Sequence, residues 1–396
     1  MFTIKSLMGV APMAGMTDSA FRRLVKRQGG CGLVVSEMVS SEGLVRGIDR
    51  TLEYLDSTEE ERPVAIQLFG GDPQAMAAAA VIVESRGADV VDINMGCPVP
   101  KIAKHHAGCS LMREPEQAAA IVAAMVQAVK IPVTVKMRAG WNDRLVNAPE
   151  LARAVEAAGA SAVAVHGRTA EQAYHGQADW ELIGRVARAV SIPVLGCGDL
   201  LEPEQIVERL RTTPVAGVLV GRGILRNPWL FAQATDLLAG RAPLVVSRED
   251  RGRFLLDYID LLEAEGPPVV ALDDRAENTP LSGFGAENLP RSCFDDNNQS
   301  RIDFGDENKS GSYFAGVGAG AGAGDDAGSG RARAGRRRSA APRASYERWI
   351  VNKLRALCAY YTKGIEGGGT LRVAVNQAPN VAALRALITE FFGIDI

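Results

Sequence analysis

The chain has 396 residues, of which 47% are hydrophobic and 23% charged, and its formal net charge is −3 at pH 7. These values are typical of a globular protein with a large core, and they exclude a molecule that binds nucleic acid through its overall charge. No apolar run approaches the roughly 20 residues that span a membrane, and no leader-like segment precedes the first predicted strand, so we expect a cytoplasmic protein. The six cysteines lack the spacing of zinc ligands, which predicts reduced thiols and no metal site.

Short apolar, β-branched runs alternate with longer helical patterns along residues 1–240. Repeated strand–helix units are typical of a parallel sheet covered by helices, and eight units in roughly 235 residues predict a (β/α)8 TIM barrel rather than an open sheet. Asp18 is the predicted N-cap of the first helix, and Asp72 with Pro73 begins a later one. The predicted strands are 8–13, 33–39, 64–70, 90–96, 133–138, 162–168, 193–199 and 217–223.

Two stretches after the barrel, 241–266 and 345–396, carry apolar residues at helical spacing and predict a small C-terminal helical domain. Residues 267–344 between them are rich in Gly, Ala, Asp, Asn and Ser without apolar periodicity. Because burial would not compensate the entropy of ordering such a segment, the composition predicts a disordered low-complexity insertion. Its arginines are either a phosphate-binding arm or a solvated tail without a specific partner: Arg331, Arg333, Arg336, Arg337, Arg338 and Arg343.

Polar and ionisable residues stand at the carboxyl ends of nearly all the predicted strands, where barrels of this kind build their active sites. Each has a structural explanation when taken alone, but together they converge on one mouth. The glycine-bearing ends of the seventh and eighth strands are typical of a phosphate site and predict a phosphorylated cofactor. Gln67 and Lys136 suit a flavin, which needs an amide at its pyrimidine edge and a cation near the atoms that gain negative charge on reduction. Cys97 lies in a loop between Gly96 and Pro98 rather than among apolar neighbours, so it can exchange a proton beside the ring.

A series of motifs in order along 1–240 resembles the tRNA-dihydrouridine synthases, FMN-dependent enzymes that reduce specific uridines in tRNA, and resembles most the bacterial B type. The segment LCAYYTKGIEGGGTLRVAVNQA (357–378) resembles the helical tRNA-binding domain of that family. The barrel motifs are PMAGMTD (12–18), QLFGGDP (67–73), DINMGCPVPKI (92–102), the run from Gly108 to Met112, VKMRAGW (135–141), VHGRTAEQAYHGQADW (165–180) and VGRGILRNPWLF (220–231).

The resemblance implies a reaction and a role for each motif residue. FMN, reduced by NAD(P)H with NADPH favoured, would give a hydride to carbon 6 of a uracil turned out of its stack. Cys97 would be the general acid at carbon 5, since a thiol with a pKa near about 8.5 is mostly protonated at neutral pH. The implied partner is tRNA, and we expect a monomer. The implied FMN-binding residues are Pro12, Met13, Ala14, Gln67, Lys136, His166, Cys197, Gly198, Asp199, Gly221 and Arg222, and the substrate-binding residues are Asn94 and Arg138.

The sequence departs from the family pattern in three places. Cys197 replaces the usual Asn of the seventh-strand motif, which would remove a side-chain contact to the flavin. His105, His106 and Cys109 follow the GCP motif where smaller or amide residues are usual, and the insertion interrupts the domain expected to hold tRNA. The main alternative is an FMN-dependent barrel reductase acting on a small-molecule alkene or pyrimidine, which would not need the helical segment. A non-enzymatic RNA-binding protein with a decayed barrel and a flavin-storage scaffold are further alternatives.

Overall fold

A closed barrel of eight parallel strands forms the centre of the protein in a computed structural model that describes residues 8–103, 106–266 and 343–394. The strands follow one another around the barrel in chain order, and the first pairs with the last through Met8–Val218 and Val10–Val220. Each of the eight predicted strands is present, so the predicted (β/α)8 barrel is confirmed. The strands are β1 (Met8–Val10), β2 (Leu33–Ser40), β3 (Val64–Phe69), β4 (Val90–Met95), β5 (Val133–Arg138), β6 (Ala162–His166), β7 (Val194–Cys197) and β8 (Gly217–Val220).

Helices on the outside of the barrel connect consecutive strands. Asp18 caps the first of them as predicted, since its Oδ1 accepts a hydrogen bond from the Phe21 amide at 2.9 Å. Asp72 does the same for the Ala75 amide at 2.7 Å. The helices are α1 (Ser19–Gln28), α2 (Ser41–Val45), α3 (Asp49–Glu53), α4 (Pro73–Ser85), α5 (Pro100–Ala103), α6 (Pro115–Ala128), α7 (Ala148–Ala157), α8 (Trp180–Ala189), α9 (Pro203–Thr212), α10 (Arg222–Arg226) and α11 (Leu230–Leu238), with 3₁₀ turns at Glu59–Glu61 and Gly108–Arg113.

Side chains alternate between the inside of the barrel and the layer under the helices, as the period of a strand requires. In β4, Val91, Ile93 and Met95 belong to the main apolar core, whereas Asp92 and Asn94 hydrogen-bond to polar side chains of neighbouring strands. Apolar residues fill part of the interior in two small clusters. One cluster contains Leu33, Val35, Ala65 and Val90, and the other contains Ala11, Ala164, Cys197 and Leu219.

In the described ranges 248–266 and 343–394, four helices follow the barrel and pack on one another and on its outer helices α1 and α10: α12 (Arg248–Glu265), α13 (Arg343–Tyr361), α14 (Gly368–Gln377) and α15 (Val381–Phe392). Phe254 of α12 packs edge-on against Phe21 of α1, with ring centroids 6.2 Å apart, and stacks on Tyr361 of α13 at 5.6 Å. The apolar cores of the barrel and of these helices are therefore one continuous cluster. We call α12–α15 the helical domain.

The predicted insertion at 267–344 lies outside the described residues, except for its last two positions. There α13 begins at Arg343, two residues earlier than predicted, because Arg and Ala are good helix formers and extend the helix back towards Pro342. The Tyr346 hydroxyl donates a hydrogen bond to the Leu262 carbonyl, so the end of α12 and the start of α13 lie side by side. Among the described residues, no helix is both long and apolar enough to cross a membrane.

Candidate active site

A cavity with two lobes opens at the carboxyl ends of the barrel strands, where the polar residues were predicted to converge. One, here the glycine lobe, includes Gly198, Asp199 and Gly221 in its wall and has a volume of 560 Å³ counted out to its mouth. The other, here the cysteine lobe, includes Gln67 and Cys97 and measures 1050 Å³ in the same way. The two lobes share Pro12, Met13, Lys136, His166, Tyr174 and Arg222, so they form one site.

The glycine lobe is shaped by the turn after β7. Gly198 has a φ of 128°, and a Cβ there would lie 2.5 Å from the Ala178 Cβ, so only glycine fits. Asp199 follows with a φ of 53°, and its carboxylate accepts two hydrogen bonds of 2.9 Å from Arg168 Nη2 and one of 2.7 Å from the Ala178 amide. The side chain of Asp199 therefore fixes the turn, and the charge that it would direct at a ligand is neutralised by Arg168.

Cys197 has apolar neighbours inside the barrel. It is 8% exposed and belongs to the same small cluster as Ala11, Ala164 and Leu219, while also forming part of the wall of the glycine lobe. Its carbonyl accepts a hydrogen bond from the Gly167 amide at 3.2 Å. The thiol thus packs as a small apolar side chain inside the barrel.

Positive charge surrounds the cavity. His166 is buried, and burial lowers its pKa well below the usual value, with further lowering by Arg138, Lys136, Arg168 and Arg222. His166 is therefore neutral, and its Nε2 accepts from Arg168 Nη1 at 3.4 Å because a guanidinium can only donate. This excess of cations favours a ligand that carries negative charge.

Asn94 holds the loop that carries Cys97. Its Oδ1 accepts hydrogen bonds from the Gly96 amide at 3.1 Å and the Cys97 amide at 2.9 Å, an arrangement typical of an Asx turn. Its Nδ2 donates to Gln67 Oε1 at 2.8 Å. Asn94 was predicted to contact substrate, and the structure shows that its side chain also fixes the backbone of the proposed acid.

A chain of buried hydrogen bonds continues from Asn94 across three strands. Gln67 Nε2 donates to Asp92 Oδ2 at 2.6 Å, and Thr134 Oγ1 donates to Asp92 Oδ1 at the same distance. Burial raises the pKa of Asp92, although Thr134, Gln67 and the Lys136 charge oppose the rise. Asp92 fixes which end of the Gln67 amide faces Asn94. This role of Asp92 was not predicted, although its carboxylate stands out inside the apolar run VVDIN.

Arg138 stabilises the Cys97 loop from the opposite side. Its Nε donates to the Gly96 carbonyl at 2.8 Å, and its Nη1 donates at 2.9 Å to the carbonyls of Thr169 and of Ala173. Arg138 is only 4% exposed, yet it forms part of the wall of the cysteine lobe. It therefore joins the loops after β4 and β6, in addition to the substrate contact predicted for it.

The two cysteines of this region have different environments. Cys97 is partly exposed and lines the cysteine lobe, whereas Cys109 is 1% exposed and burial raises the pKa of its thiol to about 12. The Cys109 amide donates to the Cys97 carbonyl at 3.0 Å, so Cys109 lies behind the loop and supports it. Of the two thiols, only that of Cys97 lines the cavity.

Tyr360 of α13 also lines the cysteine lobe, together with Met38 of β2 and Tyr174 of the loop after β6. Met38 is near the end of the predicted strand 33–39, but no local pattern places Tyr360 at the barrel mouth. Pro12, Met13, Ala14, Lys136, Gly221 and Arg222 all lie in the wall of the cavity, and their contact with FMN stays a prediction. Within the described part of the chain, no group of three or more His, Cys, Asp and Glu side chains has the geometry to hold a metal ion.

Comparison with known proteins identifies the family to which this site belongs. A family model described as dihydrouridine synthase matches residues 9–265, which span the barrel and α12. The chain belongs to the dihydrouridine synthase family. A probable tRNA-dihydrouridine synthase of Rickettsia bellii is 46% identical over 267 residues, covering 66% of this chain and 82% of the relative.

Two relatives bear on the type of dihydrouridine synthase. The tRNA-dihydrouridine synthase B of Xanthomonas campestris pv. campestris is 41% identical over 243 residues, covering 61% of this chain and 73% of that protein. The tRNA-dihydrouridine synthase B of Pseudomonas putida is 41% identical over 265 residues, covering 66% and 78%. The resemblance to the bacterial B type that the sequence motifs predicted is therefore confirmed, and the chain is an oxidoreductase of that family.

Proposed function

We propose that this protein is a tRNA-dihydrouridine synthase that uses FMN and NADPH to reduce the 5,6 double bond of specific uridines in tRNA. The observation that carries the proposal is the convergence in one cavity of a thiol on a fixed loop, an amide and a lysine, next to a cationic glycine-lined lobe. Family membership supports the reaction, since the relatives are named for dihydrouridine synthesis in tRNA.

The donor chemistry of the cavity fits FMN. The glycine lobe offers close backbone at Gly198 and Gly221 and the charge of Arg222, which suits a phosphate. Gln67 and Lys136 suit the isoalloxazine edge, because the lysine stabilises the negative charge of the reduced ring. Pro12, Met13, Ala14 and the neutral His166 form the rest of the wall. When bound, the reduced flavin supplies the hydride for carbon 6 of uracil.

The protein's own residues then control the proton. Cys97 is the proposed general acid, and its thiol gives a proton to carbon 5 as negative charge develops there. Asn94 and Arg138 keep the backbone of the Cys97 loop in one position, so that the thiol need not be reorganised during the reaction. Asn94 and Arg138 are also the proposed contacts to the uracil, and the helical domain is the proposed tRNA-binding unit.

The proposal is tested with purified protein in four steps. The protein should release FMN on denaturation, NADPH should bleach the bound flavin without oxygen, and unmodified tRNA transcript should restore its absorbance. Mass spectrometry should then find dihydrouridine in that tRNA. A protein that cannot be reconstituted with FMN would contradict the cofactor assignment. Reoxidation by small alkenes or free pyrimidines but not by tRNA would favour the small-molecule reductase instead.

A further inference from the structure

The loop between β1 and α1 is held at Gly15 from both sides. This loop places Pro12, Met13 and Ala14 in the wall of the cavity. The Gly15 amide donates to Glu37 Oε2 at 2.6 Å, and the Gly15 carbonyl accepts from Lys353 Nζ at 3.1 Å. Glu37 lies in β2, but Lys353 lies in α13 of the helical domain, 338 residues after Gly15.

Lys353 has three acceptors around its ammonium group. Besides the Gly15 carbonyl they are Asp18 Oδ2 at 2.9 Å and Glu37 Oε1 at 3.3 Å. Asp18 is the N-cap of α1, so Gly15 and Asp18 fix the loop at its middle and at its end. An ammonium has three N–H groups, and this geometry gives each one an acceptor. Lys353 is therefore directed at the loop rather than at an external phosphate.

Lys353, Asp18 and Glu37 are sheltered from water, so the interactions between their charges are only weakly screened. The side chains of Lys353, Asp18 and Glu37 are 13%, 14% and 7% exposed. Burial alone lowers the pKa of Lys353, but Asp18 and Glu37 outweigh it, so the pKa is raised and the ammonium stays charged. The Tyr258 hydroxyl of α12 donates to Asp18 Oδ2 at 2.7 Å and is the second contact from the helical domain. Without Lys353, two carboxylates would face each other in a poorly hydrated space beside the loop.

We propose that Lys353 is a positioning residue through which the helical domain holds the β1–α1 loop in the shape that binds the cofactor. The inference rests on the proposed assignment of FMN to this cavity. By this contact the helical domain supports the cofactor site of the barrel, a role separate from any contact with tRNA. Lys353 acts through the Gly15 carbonyl and the two carboxylates, and the residues that meet the cofactor are Pro12, Met13 and Ala14.

The test measures FMN affinity of the full-length apoprotein, by quenching of flavin fluorescence and without tRNA. Lys353→Met keeps the length of the side chain but removes its charge, and we expect the Kd for FMN to rise about tenfold or more. Lys353→Arg retains a cation and should recover most of the affinity. The matched control is Arg385→Met, because Arg385 also joins two carboxylates, Asp260 and Glu263, but lies within the helical domain. It should leave the Kd for FMN unchanged.

Other outcomes would overturn the inference. An unchanged Kd for FMN in folded Lys353→Met protein, with only the KM for tRNA raised, would make Lys353 an RNA contact. An equal rise in Kd for Lys353→Met and Arg385→Met would indicate general loosening of the helical domain. If Lys353→Met does not fold, Lys353→Gln serves instead, because it keeps a polar side chain while removing the charge that contacts Asp18 and Glu37. Unchanged FMN affinity in that variant would refute the role. A wild-type protein that does not bind FMN would refute the proposed function itself.

Discussion

Replacing Cys97 with alanine removes the proposed acid while leaving its loop intact. The Cys97 amide donates a hydrogen bond to Asn94 Oδ1 at 2.9 Å, and the Cys97 carbonyl accepts one from the Cys109 amide at 3.0 Å. Both hydrogen bonds use backbone atoms of residue 97, so alanine keeps them. The proposed flavin-binding residues lie on other strands. FMN binding and reduction of the flavin by NADPH should therefore match the wild-type protein.

The size of the effect depends on whether another group can replace the thiol. His166 lines the cavity but is neutral, since burial and four cations lower its pKa well below the usual value. Cys109 is buried behind the loop, where its pKa rises to about 12. Neither is a ready acid, so we expect the full loss of general-acid catalysis. Turnover should fall by about 10²–10⁴, which corresponds to about 2.7–5.4 kcal/mol of transition-state stabilisation.

Rapid-mixing absorbance follows the affected step directly, with pre-reduced enzyme mixed with tRNA in the absence of oxygen. Cys109→Ala is the matched control, because it removes the neighbouring buried thiol and should reoxidise at nearly the wild-type rate. If Cys97→Ala reoxidises as fast as the wild type, Cys97 is not the acid. If both variants are equally slow, the loss comes from disturbed loop packing.

Three further predictions concern stability and domain organisation. Glu61→Gln should lower the free energy of unfolding by about 3–5 kcal/mol in urea titrations, because it leaves Arg22 charged and buried without its carboxylate partner at 2.5 Å. An unaltered midpoint would show that the pair contributes nothing. Burial raises the pKa of Glu265 to about 7, so the unfolded state releases the Glu265 proton at a lower pH than the folded state does. The contribution of Glu265 to the free energy of unfolding therefore falls as the pH rises from about 4.5 to 7. Glu265→Gln should thus raise the melting temperature more at pH 8 than at pH 5, and an equal change at both would refute the assignment. Replacing 267–342 by a short Gly/Ser linker should leave soluble, FMN-binding protein, because the ends of α12 and α13 adjoin. Its KM for tRNA should rise only if the arginine cluster holds tRNA, and insoluble protein would show that the segment is structural.

The sequence by itself determined the barrel and the position of its mouth. Alternating β-branched strands and capped helices are local patterns, and Asp18 caps α1 as those patterns predict. The carboxyl ends of parallel barrel strands all face one side, so residues at strand ends must meet there. The positions of Gln67, Lys136 and His166 near strand ends therefore predict that they meet, and all three line one cavity.

Only the tertiary structure decided which side chains orient that site. Asn94 donates to Gln67, and Asp199 binds Arg168, because the register between neighbouring strands and the paths of their loops bring these side chains together. Lys353 reaches the Gly15 carbonyl because α13 packs on the barrel at one particular position and angle. Periodicity reports which face of an element is buried, but it contains no information about which distant element covers that face, and that docking is decided by the packing of whole helices.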